Sequence, residues 1–256
     1  MATMCVQSDA LNLRSQPEVT EGNIITVLMK CHPVTVLRDA PVSGWVEVET
    51  DVDAAQHTGF VSRRLLRDQT TDAKERLMTA AVKEWIRFDR ALGKEHVDPY
   101  FKFVGEMWRA IGLDLDGKDR DQPWSAAFIS WIVKQAGPAY NGFKTAAAHA
   151  RYIHDSIKKR QAGTAAPFWG FRLHEHRVGL GDLVCQWRVN PMTFDKAAAS
   201  DSFFSHCDVV VEVSGNAVRA IGGNNSHTVG FKTYATNADG FLKAENKVFA
   251  LLRNNI

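Results

Sequence analysis

Residues 123–137 read Pro123-Trp124-Ser125-Ala126-Ala127-Phe128-Ile129-Ser130-Trp131-Ile132-Val133-Lys134-Gln135-Ala136-Gly137, and this stretch decides how the chain is read. Phe128, Ile132 and Ala136 fall on one apolar line, with Ile129 and Val133 beside it, which predicts a helix. Pro123 near its start and Gly137-Pro138 at its end are the expected boundary residues. Ser125 then sits in the first turn. Backbone N–H groups there lack intrahelical partners, and the helix dipole is positive. Such a position stabilises a developing anion and activates a nucleophile. It is also the ordinary place for a capping serine, and the helix alone favours that plainer role.

The flanking sequence changes the weighting. Upstream, apolar spacing predicts helices over about 77–92, closed by Gly93, and over about 99–111. A fourth helix is expected over about 145–161. Beyond residue 181 the pattern turns to alternation, predicting strands at 183–187, 207–213, 217–221, 228–234 and 248–252. Helices followed by a mostly antiparallel sheet is the α+β arrangement. A strand opens at Gly181-Asp182-Leu183-Val184, another at Ser205-His206-Cys207-Asp208, and a third ends at Gly222-Gly223-Asn224. A helix-borne nucleophile, a strand-borne histidine and a later polar residue are the parts of a papain-like triad.

These motifs carry a resemblance. PWSAAFISWIVKQAG resembles the P-W-C-A-A-F-V-x-W helix of the NlpC/P60 and CHAP superfamily of peptidoglycan peptidases and amidases. Gly181–Val184 resembles its GDLV strand start, and SHCDVVVEV its G-H-V-x-[IV]-V strand. The likeness spans roughly 75–252. It implies a papain-like domain over 72–256, with Ser125 as nucleophile, His206 as base and Asn224 as orienting residue, close enough for a Ser125–His206 hydrogen bond. Trp124, Asn225 and His227 would border the substrate, and neither metal nor cofactor is implied. The departure is Ser125, since the superfamily nucleophile is cysteine and a hydroxyl is far less acidic than a thiol. Three explanations stay open: a natural serine enzyme, as in a branch carrying the same PWSAAF-type motif; a Cys-to-Ser inactivated form; or a pseudoenzyme that only binds.

The first 68 residues read as short strands at near-regular spacing, with turn residues between them. Leu11-Asn12-Leu13-Arg14, Val34-Thr35-Val36-Leu37, Gly44-Trp45-Val46-Glu47-Val48 and Gly59-Phe60-Val61-Ser62 occur in that order. The set is similar to the bacterial SH3-like domain, which implies a small β-barrel over 1–68, serving as a wall-binding module or as a spacer.

Lys plus Arg number 31 and Asp plus Glu 29, a net charge of +2, so nucleic acid is not an expected partner. No apolar run reaches the roughly 18 residues of a membrane helix. No Sec-type leader is visible. The expectation is a protein made in the cytoplasm that acts in the periplasm or at the wall after non-Sec export, as a phage product or delivered antibacterial toxin. A toxin would bring an immunity protein as partner beside peptidoglycan. The rivals are a non-catalytic wall-binding protein and an acyl-group hydrolase or transferase on the same scaffold. The four cysteines show no CxxC spacing and are expected to be reduced, Cys185 and Cys207 as core thiols and Cys5 and Cys31 in the small barrel. His149 could face the cleft, since its helix follows the nucleophile helix, but a surface or capping role is the expectation. His174-Glu175-His176 does not fit HExxH, and Asp114–Asp121 fails the EF-hand order.

Overall fold

The computed structural model describes residues 2–256. The chain divides into two compact units, Met1–Glu75 and Arg76–Ile256. Together they make a mixed α+β protein built on antiparallel sheets. No helix among the described residues is long and apolar enough to cross a membrane.

The first unit is a seven-stranded antiparallel sheet. Its strands are β1 (Ala2–Val6), β2 (Ala10–Arg14), β3 (Ile24–Met29), β4 (Pro33–Asp39), β5 (Trp45–Val52), β6 (Ala55–Ser62) and β7 (Leu66–Asp68), in the order β3-β2-β6-β5-β4-β1-β7. Strict alternation makes β5 the clearest of them. Val46, Val48 and Thr50 are buried, while Trp45, Glu47 and Glu49 lie on the other face. Val46 and Val48 join Val6, Leu11, Leu13, Leu28, Val34, Val61 and Leu66 in one apolar cluster. The sequence signals miss β1 and β7. Both are short, and they pair with each other only once the chain has returned.

In the second unit α1 (Asp72–Arg87), α2 (Tyr100–Arg109), α3 (Ser125–Gln135) and α4 (His149–Gln161) precede the whole sheet; the unit division falls inside α1. The strands are β8 (Phe168–Phe171), β9 (Leu183–Trp187), β10 (Ser205–Ser214), β11 (Ala217–Gly222), β12 (Gly230–Ala235) and β13 (Val248–Asn254), with α5 (Phe194–Ala199) between β9 and β10. The sheet order is β12-β11-β10-β9-β13-β8. Helix α3 packs on β10 and β11, and α4 on β8 and β10. The expected first helix is corrected at its end. It stops at Arg87 and not at Gly93, because residues 89–91 take left-handed backbone angles that break it. Leu92, assigned to its apolar face, is 75% exposed.

Two adjacent glycines fix how closely β11 approaches its neighbours. A Cβ on Gly222 would lie 1.6 Å from Asp208 Oδ1, and one on Gly223 would lie 2.5 Å from Phe128 Cβ. The end of β11 therefore rests directly on Asp208 and on α3.

Candidate active site

Ser125 is the first residue of α3 and is buried. Phe128 N donates to Trp124 O at 2.9 Å, so the helix starts abruptly and its first-turn N–H groups are free of intrahelical partners. Ser125 Oγ lies 2.7 Å from His149 Nε2. His149 opens α4 and is itself buried, which corrects the expected surface or capping role. Its other nitrogen, Nδ1, contacts the Tyr152 hydroxyl one turn along the helix.

The second imidazole is His206 on β10, whose ring centroid is 5.2 Å from that of His149. His206 Nε2 donates to Asp208 Oδ1 at 2.9 Å. The two residues alternate by one, so they share a face of the strand. Asp208 is fully buried and is the hub of the arrangement. Oδ1 also accepts from Asn225 Nδ2 at 3.2 Å. Oδ2 accepts from the Tyr234 hydroxyl and faces Lys232 Nζ at 3.5 Å.

Charge follows from this packing. Burial alone would raise the Asp208 carboxyl, but His206, Lys232 and Tyr234 together hold it well below the usual carboxylate range. Burial lowers His206, with Asp208 partly offsetting it. Burial lowers His149 well below its ordinary value, and His206 adds to the effect. Near neutral pH the site therefore holds two neutral imidazoles beside one ionised carboxylate.

Two expected placements are corrected. The imidazole within hydrogen-bond reach of Ser125 Oγ is His149, not His206. The residue bonded to His206 Nε2 is Asp208, not Asn224. Asn224 instead turns the chain with φ 54°, and Asn225 is the asparagine that reaches the carboxylate. Trp124, expected to border the substrate, is buried. It is 2% exposed, stacks on Phe88 at 5.6 Å and donates to Glu95 Oε2. His227 has a 68% exposed side chain and pairs with Glu95 Oε1 at 2.9 Å. Buried Glu95, which no sequence pattern singles out, thus ties the loop after β11 to the start of α3. Asp208 is missed by sequence reasoning, and the cleft-facing reading of His149 is ranked second. Asp208 had a signal, the i, i+2 spacing from His206; His149 sits among small residues, Ala146-Ala147-Ala148-His149-Ala150, consistent with burial.

Residues 92–255 hold this whole constellation, and they match DUF2272, a family described as "Uncharacterized protein conserved in bacteria". The chain belongs to the DUF2272 family. A search of curated proteins returns no match. Among solved structures, NlpC2 from Trichomonas vaginalis is 13% identical, with a TM-score of 0.31 over 98% of this chain and 72% of the other. NlpC1 from the same organism is 13% identical, with a TM-score of 0.28 over 98% and 69%. Similarity at that level transfers neither activity nor site residues to this DUF2272 chain.

Proposed function

We propose that this DUF2272 protein is a serine hydrolase of the NlpC/P60–CHAP type. It would cleave an amide of peptidoglycan, in the stem peptide or at its link to muramic acid. The observation that carries the proposal is Ser125 Oγ at 2.7 Å from His149 Nε2, at the start of a helix and beside a His206–Asp208 pair. Ser125 attacks the carbonyl, and its proton passes to His149, the imidazole in contact. The ionised Asp208 offsets the charge so formed through His206. First-turn N–H groups of α3 hold the oxyanion. A later proton return to the leaving amine completes acyl transfer, and water releases the acyl group.

A second assignment makes His206 the base, as the superfamily motif implies. It is favoured by Asp208 on Nε2, which fixes the tautomer and leaves Nδ1 as the basic nitrogen. The first unit, similar in its sequence cues to bacterial SH3-like domains, would hold the polymer. Delivery to a competitor's wall, and an immunity partner, belong to the same proposal.

The deciding experiment is fragment release from purified peptidoglycan, followed by mass spectrometry. Ser125→Ala should reduce release by several powers of ten, with the fold intact. Full activity in Ser125→Ala removes the nucleophile assignment. No release by the unaltered protein, combined with tight sedimentation with peptidoglycan, supports the binding-protein alternative. Ser125→Cys then separates a decayed or inactivated site, where it creates activity, from a serine-adapted one, where it lowers it.

A further inference from the structure

Next to Asp208 lies an open cavity of about 530 Å³ whose lining includes Lys94, Arg188, Lys232, Asn225 and Thr228. Its three cations come from three separate segments: the chain before α2, the residue after β9, and β12. Lys94 Nζ donates to Ser226 O at 3.1 Å. Lys232 Nζ lies 3.5 Å from both Asp208 Oδ2 and Gln186 Oε1. The half-buried Arg188 guanidinium has no ion pair or hydrogen bond among the described residues. Asp208 thus offsets one of the three charges, and the cavity stays positive.

Two more atoms on its lining residues are unsatisfied. Thr228 is 3% exposed, and its Oγ1 is buried without a hydrogen-bond partner. Asn225 Oδ1 is likewise buried and unpartnered, while Nδ2 of the same amide is spent on Asp208, Gly222 O and Gly230 O. Buried polar atoms are nearly always paired, and an exception calls for an explanation, a bound ligand, water or ion among them. Arg188, Lys94 and the Thr228 hydroxyl can donate to an anion. Asn225 Oδ1 can only accept, so a ligand that satisfies all four must itself carry a donor, which in an amide substrate is its N–H.

We infer that this cavity is a subsite for a carboxylate-bearing amide, a –CO–NH–CHR–COO⁻ unit. Its carboxylate lies against Arg188, Lys94 and Thr228, and its N–H meets Asn225 Oδ1. A sulfate, which carries no donor, would satisfy the cations and leave Asn225 Oδ1 unpaired. The inference rests on the proposed hydrolase reading for the place of the scissile bond, and it names the class of substrate that site takes.

The test uses the full chain carrying Ser125→Ala, so that binding is measured without turnover. Two probes are titrated calorimetrically: a soluble muropeptide with free carboxylates, and the same muropeptide with those carboxylates amidated. The free form should bind at least tenfold more tightly. Arg188→Gln should abolish the preference, and Arg188→Lys should restore part of it, since a point charge replaces a fork. Lys94→Gln, at a more peripheral position, should reduce the preference several-fold. Equal binding of the two forms overturns the subsite, as does absence of binding by the free form. A preference that survives Arg188→Gln and Lys94→Gln also overturns it, and so does inorganic phosphate competing as well as the muropeptide. A preserved preference together with no cleavage by the Ser125 protein removes the hydrolase reading and leaves the subsite standing.

Discussion

Replacing Asp208 by Asn keeps the shape of the side chain and removes its charge, and the two proton-transfer assignments respond differently. If His206 is the base, Asp208→Asn turns its imidazole to the wrong tautomer and lowers kcat/KM by about four powers of ten. If His149 is the base, Asp208 acts only through space, and a loss on the order of a hundredfold is expected. His149→Gln reverses the ranking. Release rates for the two variants on one peptidoglycan preparation decide the matter. The pH profile adds an independent measurement. Both imidazoles are lowered by burial in the fold, so they stay neutral and basic below pH 6.5. The acid limb of the rate should fall below that pH. Stability follows the same groups. The unfolded chain takes up protons at these histidines before the folded one does, so stability falls as pH drops below about 6.5 toward the lowered folded values. Thermal melts from pH 8 to pH 5 should show the decline. It should be shallower in His149→Gln, and an unchanged slope there would contradict the burial argument.

At the scale of elements, the close seating of β11 makes Gly222 a sharp probe. Gly222→Ala places a methyl 1.6 Å from Asp208 Oδ1 and 2.9 Å from Asn225 Nδ2, so the carboxylate or the strand end must move. We expect a stability loss of about 1–3 kcal/mol by overpacking. Activity should fall at least tenfold, whereas Gly22→Ala, with nothing within 4 Å, should be nearly neutral in both. Denaturant midpoints and release rates check this. The same elements explain what could be read beforehand. Strand β10 was legible because its run of buried valines is continuous, and α3 because its apolar line is bounded by Pro123 and Gly137. Both place Ser125 and His206 correctly on their elements. Their partners were not legible from motif order. Which imidazole Ser125 meets depends on α4 entering beside α3, a long-range packing outcome. Short pieces such as β8 and α5 were missed for a related reason, since four and six residues carry too little periodicity to register.

For the molecule as a whole, the first unit runs past its last strand, β7, to Glu75 in the first turn of α1. Arg67 grips Glu75 with both guanidinium ends at 2.7 Å, and Glu75 also accepts from Thr70 N and Oγ1 at 2.8 Å. Side-chain exposure is only 12% for Arg67 and 9% for Glu75, so removing one partner strands a buried charge. Glu75→Gln should therefore cost roughly 3 kcal/mol. Burial pushes the Glu75 carboxyl up, but Arg67 and Thr70 bring it below its ordinary value. Its contribution is present above the unfolded pKa and is lost as pH falls through the lowered folded one. A full-chain melt in which Glu75→Gln behaves like the unaltered protein would show that the clasp carries no stability.

All four cysteines are buried and outside any disulfide, Cys5 and Cys31 in the first unit, Cys185 and Cys207 in the second. Burial also pushes the Cys5 thiol up to about 12 and raises Cys31 and Cys207, so reactive thiolate is scarce at neutral pH. The folded chain should consequently be silent to an aromatic disulfide reagent, which makes the thiols a built-in clock for opening. Each unit carries its own pair, so mass spectrometry after a timed pulse of reagent assigns every labelled molecule to the unit that opened. Labelling of Cys5 and Cys31 ahead of Cys185 and Cys207, or the reverse, would rank the opening rates of the two units within a single intact chain. Simultaneous labelling of all four would mean that they open together.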